Sequence, residues 1–144
     1  MEHFPEFISN HLFLFSLLIA ILILLIWNLY GDTMSGLRLI IPMEATRLIN
    51  HENAVIVDLR NKEDFDAGHI INAYNVPASD MAERQKELDK HKNQALILCC
   101  SNGSDSTRMA RILMNDGFQK LFCLKGGLQA WQSANLPLTR DNVS

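Results

Sequence analysis

The sequence predicts an α/β domain with a parallel β-sheet, preceded by one apolar helix. Short apolar runs such as AVIVD (54–58) and ALILC (95–99) alternate with helical patterns. Such runs are typical of strands buried on both faces of a parallel sheet. Ahead of them, only Ser16 and Asn28 are polar in the run LFLFSLLIAILILLIWNLY, residues 12–30. The 144 residues leave room for a single ordinary domain beside that helix.

The net charge of −3 belongs to the first part of the chain. Residues 1–36 contain Glu2, Glu6 and Asp32 and no Lys or Arg, whereas residues 37–144 contain 13 basic and 13 acidic residues. Because no part of the chain is strongly basic, we expect no binding to nucleic acid. The hydrophobic fraction of 48% excludes a disordered chain.

The apolar run predicts a single-pass transmembrane helix over residues 12–30. Nineteen helical residues extend about 28 Å, close to the ~30 Å hydrocarbon core of a bilayer. A cleaved signal peptide is the alternative, but the chain starts with the acidic MEHFPEF and no Ala-x-Ala pattern follows the run. Arg38 and Arg47 follow the run and no basic residue precedes it, which places the domain in the cytoplasm and residues 1–11 in a short extracytoplasmic tail.

The remaining chain predicts a linker over 31–38 and a folded domain over 39–140. A proline opens its first helix, where proline is tolerated, and Asp116-Gly117 is a signal for the end of a later one. Strands alternating with helices indicate a parallel sheet covered on both faces. The expected strands are 39–41, 54–58, 72–76, 95–99 and 120–124, and the expected helices are the one from Pro42, 80–91, 106–116 and 127–134.

The candidate site follows the strand at 95–99, because ligands gather where parallel strands end and helices begin. Side chains alternate along a strand, so Cys99 and Cys100 face opposite ways, with Cys100 at the strand tip. A thiol held in an anion-binding nest at a helix N-terminus becomes a nucleophilic thiolate. On burial statistics alone, a structural role for this cysteine is equally expected. The small polar residues that could form the nest are Ser101, Asn102, Gly103, Ser104, Asp105 and Ser106.

The other conspicuous residues have structural interpretations. Cys99 and Cys123 lie inside apolar runs, and the three cysteines have no disulfide or zinc spacing, which indicates a reducing compartment. Asp58 and Arg60 predict a structural ion pair, since buried carboxylates are usually paired. We interpret His69 as a structural histidine rather than a general base.

Four blocks of residues resemble rhodanese-like (sulfurtransferase) domains over residues 37–138. The apolar run together with IIPMEATRLIN (40–50) further resembles the single-pass, membrane-tethered rhodanese-like proteins of Gram-negative bacteria, which implies the inner membrane. The blocks are VIVDLRNKEDFDAGHIINAYNVP (55–77), Cys100-x-x-Gly103 with Ser106, Gly117-Phe118, and Leu124-x-Gly126-Gly127-x-x-Ala130-Trp131 closing with Asn135-Leu136-Pro137-Leu138.

The resemblance implies a five-stranded parallel sheet flanked by helices and a membrane-anchored sulfurtransferase or sulfur carrier. Cys100 would take sulfur from a sulfane-sulfur donor and hold it as a persulfide, until a thiol acceptor, small molecule or protein, removes it. Backbone N–H groups of residues 101–106 would stabilise the anionic sulfur. The chemistry requires no metal and no organic cofactor.

One residue of the loop departs from the family pattern. Many active members carry an arginine five residues after the cysteine, where this chain has Asp105. A carboxylate there would repel dianionic thiosulfate, although Arg108 one turn later could compensate. The departure favours an alternative function, a weakly active or inactive rhodanese-fold module tethered at the inner membrane to bind other proteins. A cysteine phosphatase is excluded, because its Cys-x5-Arg motif has Ser106 at the arginine position.

Overall fold

The computed structural model describes residues 11–31 and 37–140, without the side chains of 28–31. The predicted tail and most of the predicted linker, residues 1–10 and 32–36, lie outside this range. The chain divides into two compact units, Met1–Ser35 and Gly36–Ser144.

The first unit contains one helix, α1, Leu12–Gly31. Its large hydrophobic side chains up to Trp27 are between 42% and 78% exposed, so the helix is apolar on every side. Within the part of the chain that the structure describes, no helix combines the length and the hydropathy needed to cross a membrane. The predicted transmembrane helix at 12–30 is therefore not supported.

The second unit is an α/β domain with a five-stranded parallel sheet, as the sequence predicts. The strand order is β1-β5-β4-β2-β3, and every neighbouring pair is parallel. All four residues of the central strand, β4, are buried, because helices cover both faces of the sheet. The strands are β1 Leu37–Ile40, β2 Val55–Asp58, β3 Tyr74–Asn75, β4 Leu96–Cys99 and β5 Leu121–Leu124.

The helices lie between these strands and after the last one. They are α2 Pro42–Glu52, α3 Lys62–Ala67, α4 Met81–Arg84, α5 Ser104–Asn115 and α6 Gly127–Ser133, with 3₁₀ segments at Ala78–Asp80 and Gln85–His91 on either side of α4.

The ends of the predicted strands and helices are shifted by at most two residues, for example from 39–41 to Leu37–Ile40 and from 72–76 to Tyr74–Asn75. Beyond these shifts, the structure differs from the predicted elements in two places. The helix predicted at 80–91 is the four-residue α4 followed by a 3₁₀ segment, and its buried residues are only Met81 and Leu88. With so few buried positions, little packing favours one continuous helix. The helix α3 was not predicted, because six residues are too few to show a periodicity. Its start is nevertheless encoded, since the Asn61 side chain accepts a hydrogen bond from the N–H of Asp64 at 2.8 Å.

The core consists of one apolar cluster on each face of the sheet. Cys100 belongs to the cluster that includes Leu98, Cys123 and the buried face of α5. Cys99 belongs to the opposite cluster, with Trp131 of α6. The two adjacent cysteines therefore face opposite sides of the sheet, as the alternation of strand residues predicts.

Candidate active site

Cys100 follows the central strand directly, at the edge of the sheet where the parallel strands end. Its side chain is buried, with 3% of the residue exposed. The N–H of Gly103 donates a hydrogen bond to the Cys100 Sγ at 2.9 Å. A backbone donor of the loop thus holds the sulfur at the start of α5, where the N–H groups of the first turn point out of the helix.

The N-terminus of α6 determines the direction of the peptide groups in this loop. The N–H of Leu128 donates to the carbonyl of Cys100 at 2.8 Å, and the N–H of Gln129 donates to the carbonyl of Ser101 at 3.2 Å. In a planar trans peptide the N–H points opposite to the carbonyl, so the N–H groups of Ser101 and Asn102 point away from α6. Consecutive N–H groups turned to one side are what an anion-binding nest requires.

Two glycines allow this close approach of the loop to α6. A Cβ atom on Gly127, whose φ is +60°, would lie 2.3 Å from the carbonyl oxygen of Cys100 and 2.8 Å from the nitrogen of Asn102. Gly103 has a φ of +99°, and a Cβ atom there would lie 3.3 Å from the nitrogen of Gly126. The Gly126-Gly127 pair is part of the family resemblance in the sequence, but sequence reasoning missed that this pair supports the cysteine loop.

The polar side chains of the loop occupy different surroundings. The Asn102 Oδ1 accepts hydrogen bonds from the N–H and the hydroxyl of Ser104, at 3.1 and 2.9 Å. Asp105 is exposed, and its Oδ1 lies 3.5 Å from Nη2 of Arg108, so the cation partly neutralises this carboxylate. Ser106, by contrast, is fully buried.

The other two cysteines are poor nucleophiles at neutral pH. Burial raises the pKa of Cys99 well above its ordinary value, and the negative charge of Asp58 raises it further. Burial likewise raises the pKa of Cys123 to about 12, although a hydrogen bond with Thr107 opposes the shift. Both therefore remain thiols where a catalytic cysteine must be a thiolate. Of the three cysteines, Cys100 is the candidate nucleophile.

Asp58 and Arg60 form an ion pair at the end of β2. Asp58 is fully buried, and Nη2 of Arg60 lies 2.7 Å from its Oδ2. Burial acts to lower the pKa of Arg60, but the hydrogen bond and the charge of Asp58 raise it. Nη2 of Arg60 also donates to the carbonyl of Gly68 at 2.7 Å. These contacts tie the end of β2 to the backbone at Gly68.

His69 lies in the same part of the domain and is also buried, with 1% exposed. Its Nδ1 lies 2.7 Å from the carbonyl oxygen of Phe65, which can only accept, so Nδ1 carries the proton. The imidazole stacks on the Phe65 ring, with 3.7 Å between the ring centroids. The described residues include no group of three or more His, Cys, Asp or Glu side chains that could hold a metal ion.

The fold and the loop together define a class of protein. It is an α/β domain that presents one cysteine at the tip of its central strand, inside a loop whose Gly103 N–H donates a hydrogen bond to the sulfur. The rhodanese-like domain family model matches residues 42–134. The chain belongs to the rhodanese-like domain family.

The similarity to known proteins extends over nearly the whole chain in one case and over about two thirds of it in others. The uncharacterized protein YibN of Escherichia coli K12 is 37% identical over 141 residues, which cover 97% of this chain and 99% of that protein. The thiosulfate sulfurtransferase GlpE of Vibrio cholerae is 32% identical over 96 residues, 65% of this chain and 87% of that protein. A rhodanese-related protein from Thermoplasma volcanium has the same fold, with a TM-score of 0.66 at 23% identity over 72% of this chain and 99% of that one.

Proposed function

We propose that this chain is a sulfurtransferase or sulfur carrier that holds sulfane sulfur as a persulfide on Cys100. The observation that carries the proposal is the hydrogen bond from the N–H of Gly103 to the Cys100 Sγ. A backbone donor beside the sulfur stabilises the negative charge that a persulfide carries after sulfur is taken up. The relative named as a thiosulfate sulfurtransferase supports this reaction class.

The reaction proceeds by two displacements at sulfur. The Cys100 thiolate attacks the sulfane sulfur of a donor such as thiosulfate, an S–S bond forms, and the bond to the sulfonate sulfur breaks with its electron pair leaving on sulfite. One negative charge stays on the terminal sulfur of the persulfide. An acceptor thiolate then attacks that sulfur, the new S–S bond forms on the acceptor, and the Cys100 thiolate is released. The two steps consume no proton and require no external oxidant or reductant.

The test is the mass of the full chain after incubation with a sulfane-sulfur donor. We expect the intact mass to increase by one sulfur atom and to return to its starting value when a reducing thiol is added. Cys100→Ser is expected to abolish the gain. Cys99→Ser is the matched control, because it removes the neighbouring thiol from the opposite face of the sheet, and it should keep the gain. A chain that gains no sulfur from thiosulfate, polysulfide or an organic persulfide would exclude the sulfurtransferase.

Asp105 supports a second candidate function, a binding module with little transfer activity. Its carboxylate lies in the first turn of α5, five residues after Cys100, and its side chain is 52% exposed. A negative charge at this place disfavours a dianionic donor, whereas a persulfide of low charge or one carried by a protein meets less repulsion. If the chain is a transferase, we therefore propose that its donor is a persulfide of low charge or one carried by a protein. A binding module that lacks activity would take up no sulfur from either kind of donor.

We also propose that the chain is attached to the inner membrane through residues 12–30, with the rhodanese-like domain in the cytoplasm. The exposed apolar side chains on every side of α1 support a lipid environment, because water would meet a large apolar surface. The similarity to YibN extends over 141 of the 144 residues and so includes this helix. Arg38 and Arg47 follow the helix, which supports the cytoplasmic side for the domain.

Alkaline washing of membranes from expressing cells tests this attachment. We expect the full chain to stay with the membrane pellet and a chain that starts at Leu37 to be released into the supernatant. That shorter chain retains the whole sheet and every helix of the second unit, so it is a matched control for the domain. Release of the full chain by the same wash would contradict the attachment.

A further inference from the structure

Ser106 carries a buried hydroxyl whose hydrogen-bonding capacity is unused. The residue is fully buried, and its Oγ has no hydrogen-bond partner among the described residues. A buried hydroxyl without a partner is destabilising, so proteins rarely keep one without a reason. In a helix a serine often donates to a carbonyl one turn earlier, and here that bond does not form.

The position of Ser106 connects this hydroxyl to the cysteine loop. Ser106 is the third residue of α5 and the first on its buried face, which continues with Met109, Ala110 and Leu113. Those three residues pack in the same cluster as Cys100. Since α5 starts at the loop that follows Cys100, its first turn lies at the level of the strand tip. Ser106 is thus the polar position between the loop and the apolar core.

The next residue of the same turn, Thr107, also carries a hydroxyl. The Thr107 side chain acts to lower the pKa of Cys123, which lies in the same apolar cluster as Cys100. Cys123 is paired in register with Leu98, two residues before Cys100 on the neighbouring strand. The first turn of α5 therefore carries two hydroxyls close to the side of the sheet that holds two cysteines, and the hydroxyl of Ser106 has no hydrogen-bond partner among the described residues.

We propose that the Ser106 hydroxyl donates a hydrogen bond to the terminal sulfur of the persulfide on Cys100, so that Ser106 is a positioning residue for the transferred sulfur. This inference rests on the proposed function. The terminal sulfur lies about 2 Å beyond Sγ and carries the negative charge, while Sγ itself is held by the N–H of Gly103. A charge-assisted hydrogen bond from a buried hydroxyl stabilises that anion more than the uncharged thiol. Ser106 therefore shifts the equilibrium toward the loaded protein.

The experiment measures the loading equilibrium of the full chain between thiosulfate and sulfite by intact mass. We expect Ser106→Ala to lower the ratio of loaded to unloaded protein about tenfold at a fixed thiosulfate-to-sulfite ratio, as the loss of one hydrogen bond to a charged group predicts. Thr107→Val is the matched control, because it deletes the neighbouring hydroxyl of the same helical turn, which acts on the pKa of Cys123. This control should leave the loading ratio within about twofold of the starting protein.

Urea unfolding separates this role from a purely structural one. Removal of an unpaired hydroxyl should leave the unloaded Ser106→Ala protein as stable as the starting protein or more so, while the stabilisation gained on loading should shrink. Equal loading of Ser106→Ala and the starting protein would overturn the inference, and so would a tenfold loss in Thr107→Val. A starting protein that gains no sulfur from thiosulfate, polysulfide or an organic persulfide would instead overturn the proposed function, so the two failures are distinguishable.

Discussion

Gly127→Ala is expected to abolish persulfide formation and to lower the free energy of unfolding by about 3 kcal/mol. Gly127 has a φ of +60°, and a non-glycine residue in this left-handed region costs about 1–2 kcal/mol. The added Cβ would also lie 2.3 Å from the carbonyl oxygen of Cys100, so the loop or α6 must move. That movement breaks the hydrogen bond between the N–H of Leu128 and the same carbonyl, a further loss of about 1 kcal/mol.

Gly117→Ala is the matched control for this prediction. Gly117 also has a positive φ, +96°, but a Cβ atom there meets nothing within 4 Å among the described residues. Gly117→Ala should therefore lose stability through its positive φ but not through a steric clash. We expect this variant to keep persulfide formation. Urea unfolding and the intact-mass assay measure the two effects separately. Normal loading in folded Gly127→Ala would show that α6 does not determine the shape of the cysteine loop.

The three inner strands, β2, β4 and β5, were predictable because they are short apolar runs in a sheet covered on both faces. The runs at 54–58 and 95–99 correspond to β2, Val55–Asp58, and β4, Leu96–Cys99. The segment 80–91 was predicted less well, because its charged residues are compatible with either helix type. Only tertiary packing of Met81 and Leu88 decides between a continuous helix and 3₁₀ turns.

The part of the candidate site that is formed by residues close to one another in sequence was predictable. Cys100 and the glycine three residues later are separated by one turn of the chain, so their spacing alone suggests the contact that the structure places at 2.9 Å. The support from Gly127 and Leu128 comes from a segment more than 20 residues away. Such a contact depends on the packing of α6 against the sheet, which no local pattern encodes. The unused hydroxyl of Ser106 is likewise visible only once burial is known.

Asp105→Arg is expected to raise kcat/KM for thiosulfate about tenfold. The substitution changes the local charge by two units against a dianion, which at a separation of about 8 Å in water-like surroundings amounts to roughly 2 kcal/mol before salt screens it. The side chain is exposed, so the arginine needs no space in the core. The cost in stability should stay below about 1 kcal/mol, the value of an acidic side chain in the first turn of a helix.

The dependence on charge distinguishes donor repulsion from a general effect on the fold or on the thiol. Asp105→Asn changes the charge by one unit and should give about half the gain in free energy of activation, roughly threefold in kcat/KM. Cysteine persulfide, a donor of low net charge, should respond little to either substitution, and raised ionic strength should shrink the thiosulfate gain. Asp116→Arg, which makes the same charge change just beyond the other end of α5, is the control for net charge. Equal gains with thiosulfate and with cysteine persulfide would mean that Asp105 acts on the reactivity of Cys100 rather than on donor binding. No gain with either donor would mean that the Asp105 carboxylate, which is already paired with Arg108, does not limit transfer.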